Sequence, residues 1–259
     1  MRIFFLGTAS ASVTTERDNI SLLVQSGEDQ LLFECAGNPA GKILQSGNNP
    51  NKLKAVLLTH LHIDHCYGLP ALLFHMFLNK RTALLDVFCP EEEHELIEAQ
   101  LQSHGINSDM RTYSINVIAV PPDDNRLIYK TAHTAVYSAP ANHSRATRAF
   151  KILELKTGKS FVYTGDTSPL DNLAVFSANV DLLVHEATYL EKDEDLAAEY
   201  GHSTACQAAR IADKANAKSL ALVHLECPSD CNVNQYRTEA EKHFHGPILI
   251  PNDSSSISL

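Results

Sequence analysis

Three histidines and an aspartate, His60, His62, Asp64 and His65, stand together in "AVLLTHLHIDHCYGLPALL", directly after an apolar run. Such a cluster contributes little to packing. Imidazole and carboxylate donors together suit a borderline divalent cation, Zn2+ first, with Mn2+ and Fe2+ as alternatives. His60 and His62 are two apart, so in an extended segment they share a side. Asp64 and His65 follow a turn just before a helix and can fold back toward the same point.

A hydrolytic metal keeps one position open for water, so four donors are more than one catalytic ion needs. Further donors are expected at the ends of other strands: His143 after "VYSAPAN", Asp166 in "FVYTGDTS" and His224 after "SLALV". Seven donors fit two ions, with Asp166 bridging. Two-metal sites hold their ions about 3.5–4 Å apart, activate a bridging hydroxide and clamp a phosphoryl oxygen. His185 with Glu186 in "HEATY", and His202 in "GHST", can reach the same rim and are expected to act there. His202 precedes the cap of an amphipathic helix, near the positive end of its dipole, where an anion is favoured. His75, His94, His104, His243 and His245 fall on predicted helices or their ends and are read as surface or packing residues. His133 lies in a predicted strand and has no assigned role.

These donors need strands to carry them. The first third reads as strands, "RIFFLG", "ISLLVQSG", "QLLFECA" and "LKAVLLTH", each closed by a turn signal. "NPAGKILQSG" and "GLPALLFHMFLNK" read as helices, "LLDVFCP" as a strand and "EEEHELIEAQLQSHG" as a helix closed by Gly105. The second half repeats the order. "YSINVIAV", "LIYKTAHT", "AVYSAPA", "RAFKILEL" and "KSFVYTGD" are strands; helix "LDNLAVFSANV" and strand "DLLVHEATY" follow. "STACQAARIADKANA" is an amphipathic helix capped by Ser203 or Thr204. "SLALVHLE" is a strand, "NQYRTEAEKHF" a helix and "PILIP" a last strand. Two β-rich halves, each ending in helices, predict an α/β fold: an αββα sandwich of two mixed sheets face to face with helices outside. Sites in such a fold gather where strands end and loops begin.

The chain has 259 residues, 44% of them hydrophobic and 20% charged, the balance of one large globular domain over 1–259. No apolar run approaches the roughly 18 residues of a membrane span. "MRIFFLGTASAS" resembles a short signal peptide, but Ile3 to Leu6 is shorter than the roughly 7–15 residues of an apolar signal core. The expected location is therefore cytoplasmic. A net charge of −10 argues against gripping long nucleic acid by overall field. The cysteines, Cys35, Cys66, Cys89, Cys206, Cys227 and Cys231, are scattered and expected to be reduced; the Cys227/Cys231 pair is the one among them spaced to share a metal.

"THLHIDH", the lone His143, "TGDT" and "LVHL" together resemble the successive metal motifs of the metallo-β-lactamase superfamily, across essentially the whole chain. "LLVHEATY" and "GHSTACQAARIA" resemble its ribonuclease Z branch, which processes the 3′ ends of tRNA precursors. The resemblance implies one metal on His60, His62 and His143, another on Asp64, His65 and His224, and Asp166 bridging. It implies that His202 assists at the phosphate or leaving group, oriented by Glu186, and that Asp64 accepts a proton from the attacking water. Two features depart from that branch. Its bacterial form carries a tRNA-gripping arm between the third and fourth ligand motifs, where "SRATRAFKILELKTGKSFVYTG" has room for two strands only. Its Pro-x-Lys-x-Arg-Asn loop, which handles the RNA end, is replaced by "VTTERDN", where Arg17 alone corresponds.

The expected function is a dinuclear metal-dependent phosphodiesterase acting on a small or short phosphodiester through a metal-bridging hydroxide. The alternatives are a ribonuclease Z-type tRNA-processing endonuclease and a hydrolase of a non-phosphate ester, lactone or sulfate. A homodimer is expected by analogy with the branch.

Overall fold

The protein is described from a computed structural model, which covers residues 1–107, 110–226 and 232–259. Among the described residues the alternating runs fold into fourteen strands and eight α-helices. The first half contributes β1 (Arg2–Gly7), β2 (Ser21–Ser26), β3 (Asp29–Phe33), β4 (Leu53–Leu57), β5 (Leu85–Pro90) and β6 (Ile115–Val120). The second contributes β7 (Arg126–Lys130), β8 (Thr134–Asn142), β9 (Ala146–Glu154), β10 (Ser160–Tyr163), β11 (Leu182–Glu186), β12 (Leu220–Val223) and β13 (Ile248–Leu249). A short C-terminal β14 (Ser255–Ser258) returns to the first sheet. The helices are α1 (Pro39–Gln45), α2 (Ile63–Cys66), α3 (Leu69–Leu78), α4 (His94–Ser103), α5 (Asp171–Phe176), α6 (Glu194–Tyr200), α7 (Ala205–Lys214) and α8 (Asn234–Ala240).

Two seven-stranded sheets result, in the orders β14-β1-β2-β3-β4-β5-β6 and β13-β12-β11-β10-β9-β8-β7. β14, β1, β2 and β3 pair antiparallel, and β3 to β6 run parallel. The second sheet repeats this, with β7 to β10 antiparallel and β10 to β13 parallel. The two halves are therefore built alike, as their sequence patterns imply. β14, α2 and α6 lie outside the sequence reading. "SSIS" has no apolar alternation, and it becomes a strand because the free edge of β1 offers it a ladder: Ile3 pairs with Ile257.

Strand alternation sorts the core into three layers. Ile3, Phe5, Leu22, Val24, Phe33, Phe150, Phe161 and Tyr163 fill the space between the sheets. Phe33 packs against Phe150 and Phe161 at ring distances of 5.9 and 6.1 Å. Phe4, Leu6, Leu23 and Leu32 face the other way, beneath α1 and α3. On the second sheet, Val162, Leu183 and Leu222 pack under α5 and α7. α7 presents Ala205, Ala208, Ala209 and Ala212 to this layer, and these small side chains let the helix lie close. Of the two residues read as its cap, Thr204 takes the position. Its hydroxyl accepts from Gln207 N while the Gln207 side chain accepts from Thr204 N. Cys35, Cys66, Cys89 and Cys206 are buried free thiols, whereas Cys227 and Cys231 lie outside the described residues.

Candidate metal centre

All seven predicted donors meet at one end of the sandwich, where β4, β8, β10 and β12 stop. His60 lies three residues past the end of β4, and His62 caps α2, whose single turn carries Asp64 and His65 back toward the strand. His143 directly follows β8, and His224 directly follows β12. Asp166 arrives through Thr164 and Gly165, which follow β10. Gly165 has φ +62°, and a Cβ there would lie 2.7 Å from the Thr59 Cβ. Only glycine lets the β10 loop approach the end of β4 so closely, and that approach delivers Asp166.

The donors fall into two groups around one oxygen. His60 Nε2 and His143 Nε2 each lie 3.0 Å from His62 Nδ1, and they stand 3.7 and 3.9 Å from Asp166 Oδ2. On its other side, the same Oδ2 lies 3.2 Å from His65 Nε2 and 3.4 Å from His224 Nε2. Asp64 Oδ2 stands 3.4 and 3.5 Å from those two nitrogens. A tetrahedral ion with bonds of about 2.0–2.1 Å separates its ligands by about 3.3 Å, so each group is spaced to surround a divalent metal ion. His65 Nε2, His224 Nε2 and Asp166 Oδ1 are buried without a hydrogen-bond partner. Buried polar atoms left this way cost about 1–3 kcal/mol each, and a cation would satisfy them together.

The electrostatics carry the same demand. Burial, aided by the neighbouring imidazoles, pushes His60 well below its usual range, and burial also lowers His62 and His143. Their lone pairs therefore remain free. Burial opposes ionisation of Asp166 and Asp64, yet His224 and His65 hold both carboxyls well below the usual range. Burial also opposes a charge on His65, but Asp166 and Glu34 on either side raise it. The cluster needs positive charge at its centre.

Outer partners fix the rings in matching ways on the two sheets. His60 Nδ1 lies 3.0 Å from Thr59 Oγ1, which donates to Glu34 at 2.5 Å. His224 Nδ1 lies 2.9 Å from Thr188 Oγ1, which donates to Glu186 at 2.9 Å. Each hydroxyl gives its proton to a carboxylate and so accepts the ring N–H, leaving Nε2 unprotonated toward the centre. His143 is oriented by donation from Nδ1 to Gly201 O at 2.8 Å. Glu34 and His224 have φ of 60° and 57°, sparsely populated for such residues and costing on the order of 1–3 kcal/mol each. Glu34, Thr59 and Thr188 were not singled out from the sequence. Thr59 and Thr188 sit inside the quoted motifs, and Glu34, in "FECA", ends a strand in the same way as the donors.

Glu186 is fully buried and accepts five hydrogen bonds. Oε1 takes Thr167 N at 3.0 Å, Ser203 N at 3.1 Å and His202 Nδ1 at 2.9 Å; Oε2 takes the N–H and hydroxyl of Thr188. It ties the loops after β10 and β11 to the start of α7. Burial opposes a charge on His202, but the Glu186 carboxylate raises it to about 9. His202 stands beside the cluster, its ring 4.8 Å from that of His143.

Other expectations resolve differently. His185 alternates to the opposite face from Glu186, hydrogen-bonds the Glu186 carbonyl and stays out of the cluster. His133 packs in a turn against Gly27. Arg17 does not face the cleft. It is buried, bound to Thr8 Oγ1, Pro251 O and Asn252 Oδ1, and it pins the C-terminal turn to the loop at 8–17. His243 lies with Glu191 and Cys206 beside α7, where Lys242 already pairs with Glu191 at 2.7 Å.

The donors open into a cleft of about 330 Å³. Besides five of the donors (His62, Asp64, His143, Asp166 and His224), Thr188 and His202, it is lined by Ser10, Ala11, Ser144, Tyr189, Tyr200 and Glu226, with no Lys or Arg among the described residues.

Residues 23–225 match the model of the β-lactamase superfamily domain. The ribonuclease Z of Natronomonas pharaonis is 30% identical over an alignment of 302 residues, covering 100% of this chain and 98% of the relative. Because this chain has 259 residues, the relative holds segments without a counterpart here. Among solved structures, the metallo-β-lactamase fold protein YhfI from Bacillus subtilis superposes with a TM-score of 0.84 at 25% identity, covering 99% of this chain and 98% of that one. Human short-form tRNase Z gives a TM-score of 0.82 at 23% identity, covering 100% and 99%.

Proposed function

The chain belongs to the β-lactamase superfamily and is a metal-dependent hydrolase, and from that premise we propose that it is a phosphodiesterase acting on a small or short phosphodiester with two divalent ions, zinc first. The observation that carries this reading is the double donor set sharing Asp166 beside the His202–Glu186 pair, at the floor of a small cleft. In the proposal His60, His62 and His143 hold one ion, Asp64, His65 and His224 the other, and Asp166 both. Bound ions would supply Lewis acidity and an activated water. The protein's own groups do the rest. Asp64 accepts a proton from the attacking water. His202, charged and oriented by Glu186, protonates the departing oxygen.

The curated relatives favour a second reading, ribonuclease Z activity on tRNA precursors. Three features of this chain weigh for the smaller substrate. Only β9 and β10 lie between His143 and Asp166, Arg17 is engaged internally, and the described cleft lining presents no Lys or Arg. Turnover of bis(p-nitrophenyl) phosphate and of a precursor tRNA, with metal restored, decides between them. The small diester is expected to be hydrolysed faster; efficient site-specific trimming of the precursor at physiological salt would reverse the assignment.

The three continuous apolar layers support a single domain over 1–259. No helix among the described residues is long and apolar enough to cross a membrane, and the buried free thiols favour the reducing cytoplasm. A homodimer belongs to the same proposal, and sedimentation tests it.

A further inference from the structure

The walls of the cleft are unusual for a site that would act on phosphate esters. The described mouth is acidic and aromatic. Tyr189 and Tyr200 line it together with Glu226, and no Lys or Arg accompanies them. Tyr200, at the end of α6, is 53% exposed, and Tyr189 is half-buried with its ring 6.0 Å from that of His202. Glu226 is held from three directions. Its N–H donates to Thr188 O at 3.1 Å, its carbonyl accepts from Tyr236 Oη at 2.9 Å, and its carboxylate accepts from Ser10 Oγ at 2.5 Å. A carboxylate that shares its mouth with two tyrosines, with no Lys or Arg in the described lining, is an arrangement suited to an ammonium group.

We propose that this mouth binds a positively charged amine on the leaving alcohol, so that the preferred substrates are phosphodiesters of amino alcohols, with the ammonium between Tyr189, Tyr200 and Glu226. The proposal rests on the phosphodiesterase reading and deepens it. Tyr189 lies against His202, so the charged head sits on the side where the departing oxygen takes its proton. In the reaction, water adds to phosphorus and the bond from phosphorus to the amino-alcohol oxygen breaks. The His202 proton goes to that oxygen, and a phosphomonoester and a free amino alcohol leave. A nucleobase would also stack on the tyrosines. It brings no charge for Glu226, however, and its next phosphate would meet an acidic mouth.

Two matched substrates test the idea: the ethyl phosphodiester of choline and that of 3,3-dimethylbutanol, alike in shape but with carbon in place of the charged nitrogen. With the metal-loaded protein, kcat/KM for the choline ester should exceed that for the neutral ester by on the order of 10-fold, the scale of one desolvated cation–aromatic contact with a counter-charge. In Glu226→Gln the ratio should fall toward one. Independently of turnover, calorimetric titration with tetramethylammonium should show binding that weakens on the order of 10-fold in Glu226→Gln and in Tyr200→Ala. Equal rates on the two esters, a ratio that survives Glu226→Gln, or faster hydrolysis of a dinucleoside phosphate would overturn the proposal. If no phosphodiester is hydrolysed but tetramethylammonium binds in a Glu226-dependent way, the cation pocket stands and the phosphodiesterase reading falls. If diesters are hydrolysed and tetramethylammonium does not bind, the reverse holds.

Discussion

Replacing Glu186 with Gln should disturb stability and the pH profile together, and by amounts the geometry sets. The amide can keep its oxygen where Oε1 now accepts from Thr167 N, Ser203 N and His202 Nδ1. Its NH2 must then face the N–H of Thr188, which now donates to Oε2 at 3.0 Å. One buried N–H loses its acceptor, costing about 1–3 kcal/mol, and the charge-assisted bond from His202 becomes neutral, costing about 1 kcal/mol more. A loss of about 3 kcal/mol lowers the melting temperature of a chain this size by roughly 6–12 °C. The variant also removes the charge that raises His202 to about 9. As a general acid, His202 is active while protonated, so rates on a poor leaving group fall as pH rises through its pKa. In the variant that alkaline limb should move down toward the ordinary histidine value of about 6.5. Bound dications would lower both limbs together, so the difference between the proteins is the tested quantity. Scanning calorimetry and kcat against pH on an alkyl diester supply the two readings. A variant that melts within about 2 °C of the parent, with its alkaline limb unmoved, would refute both the hub role of Glu186 and its control of His202.

Purified protein reconstituted with zinc should hold two metal ions per chain by elemental analysis, and Asp166→Ala should lose much of both, because its Oδ2 faces both donor groups; a stoichiometry of one would break the shared-oxygen reading. His202→Ala should retain both metals and the fold, yet lower kcat by about 10²–10⁴-fold on an alkyl diester and much less when p-nitrophenolate leaves. An equal loss on both substrates would make His202 a phosphate-binding group instead. Asp181, which bonds to Lys159 and Lys218 at 2.8 and 2.9 Å, is held down to about 2 by these lysines against the opposing effect of its burial. Its pKa is depressed on folding, so its contribution is complete above the ordinary carboxylate range of about 4 and is lost as pH falls through about 2. Melting temperatures of metal-free protein should therefore separate from those of Asp181→Asn above about pH 4 and converge near pH 2; a constant gap would sink this account.

The sequence by itself determined the layers, the repeated order of the halves and the strand ends from which the donors come. Two-residue periodicity decides which side chains enter the core, and a polar, metal-suited residue at the end of a buried run has few other uses. Spacing narrowed the cap of α7 to Ser203 or Thr204, and the reciprocal bonds with Gln207 decided for Thr204. Contacts between distant segments could not be read in this way. Glu34 looks like an ordinary strand-end residue in the chain, and it becomes the counterpart of Glu186 only when β3 and β11 bring each beneath a threonine that holds a histidine ring. His185 seemed to belong with Glu186 because they are adjacent, but alternation on β11 sends neighbouring side chains to opposite faces. Arg17 alone corresponded to the branch's RNA-end loop, and its guanidinium instead binds the nearby Thr8 hydroxyl and the carbonyl oxygens of Pro251 and the Asn252 side chain, more than 230 positions away. The acidic, aromatic mouth joins Ser10, Tyr189, Tyr200 and Glu226 from four separate segments. Local pattern fixes what a residue can do and which face it takes; the packing of two sheets decides which residues meet, because those encounters depend on loop paths and registers that no short window of sequence contains.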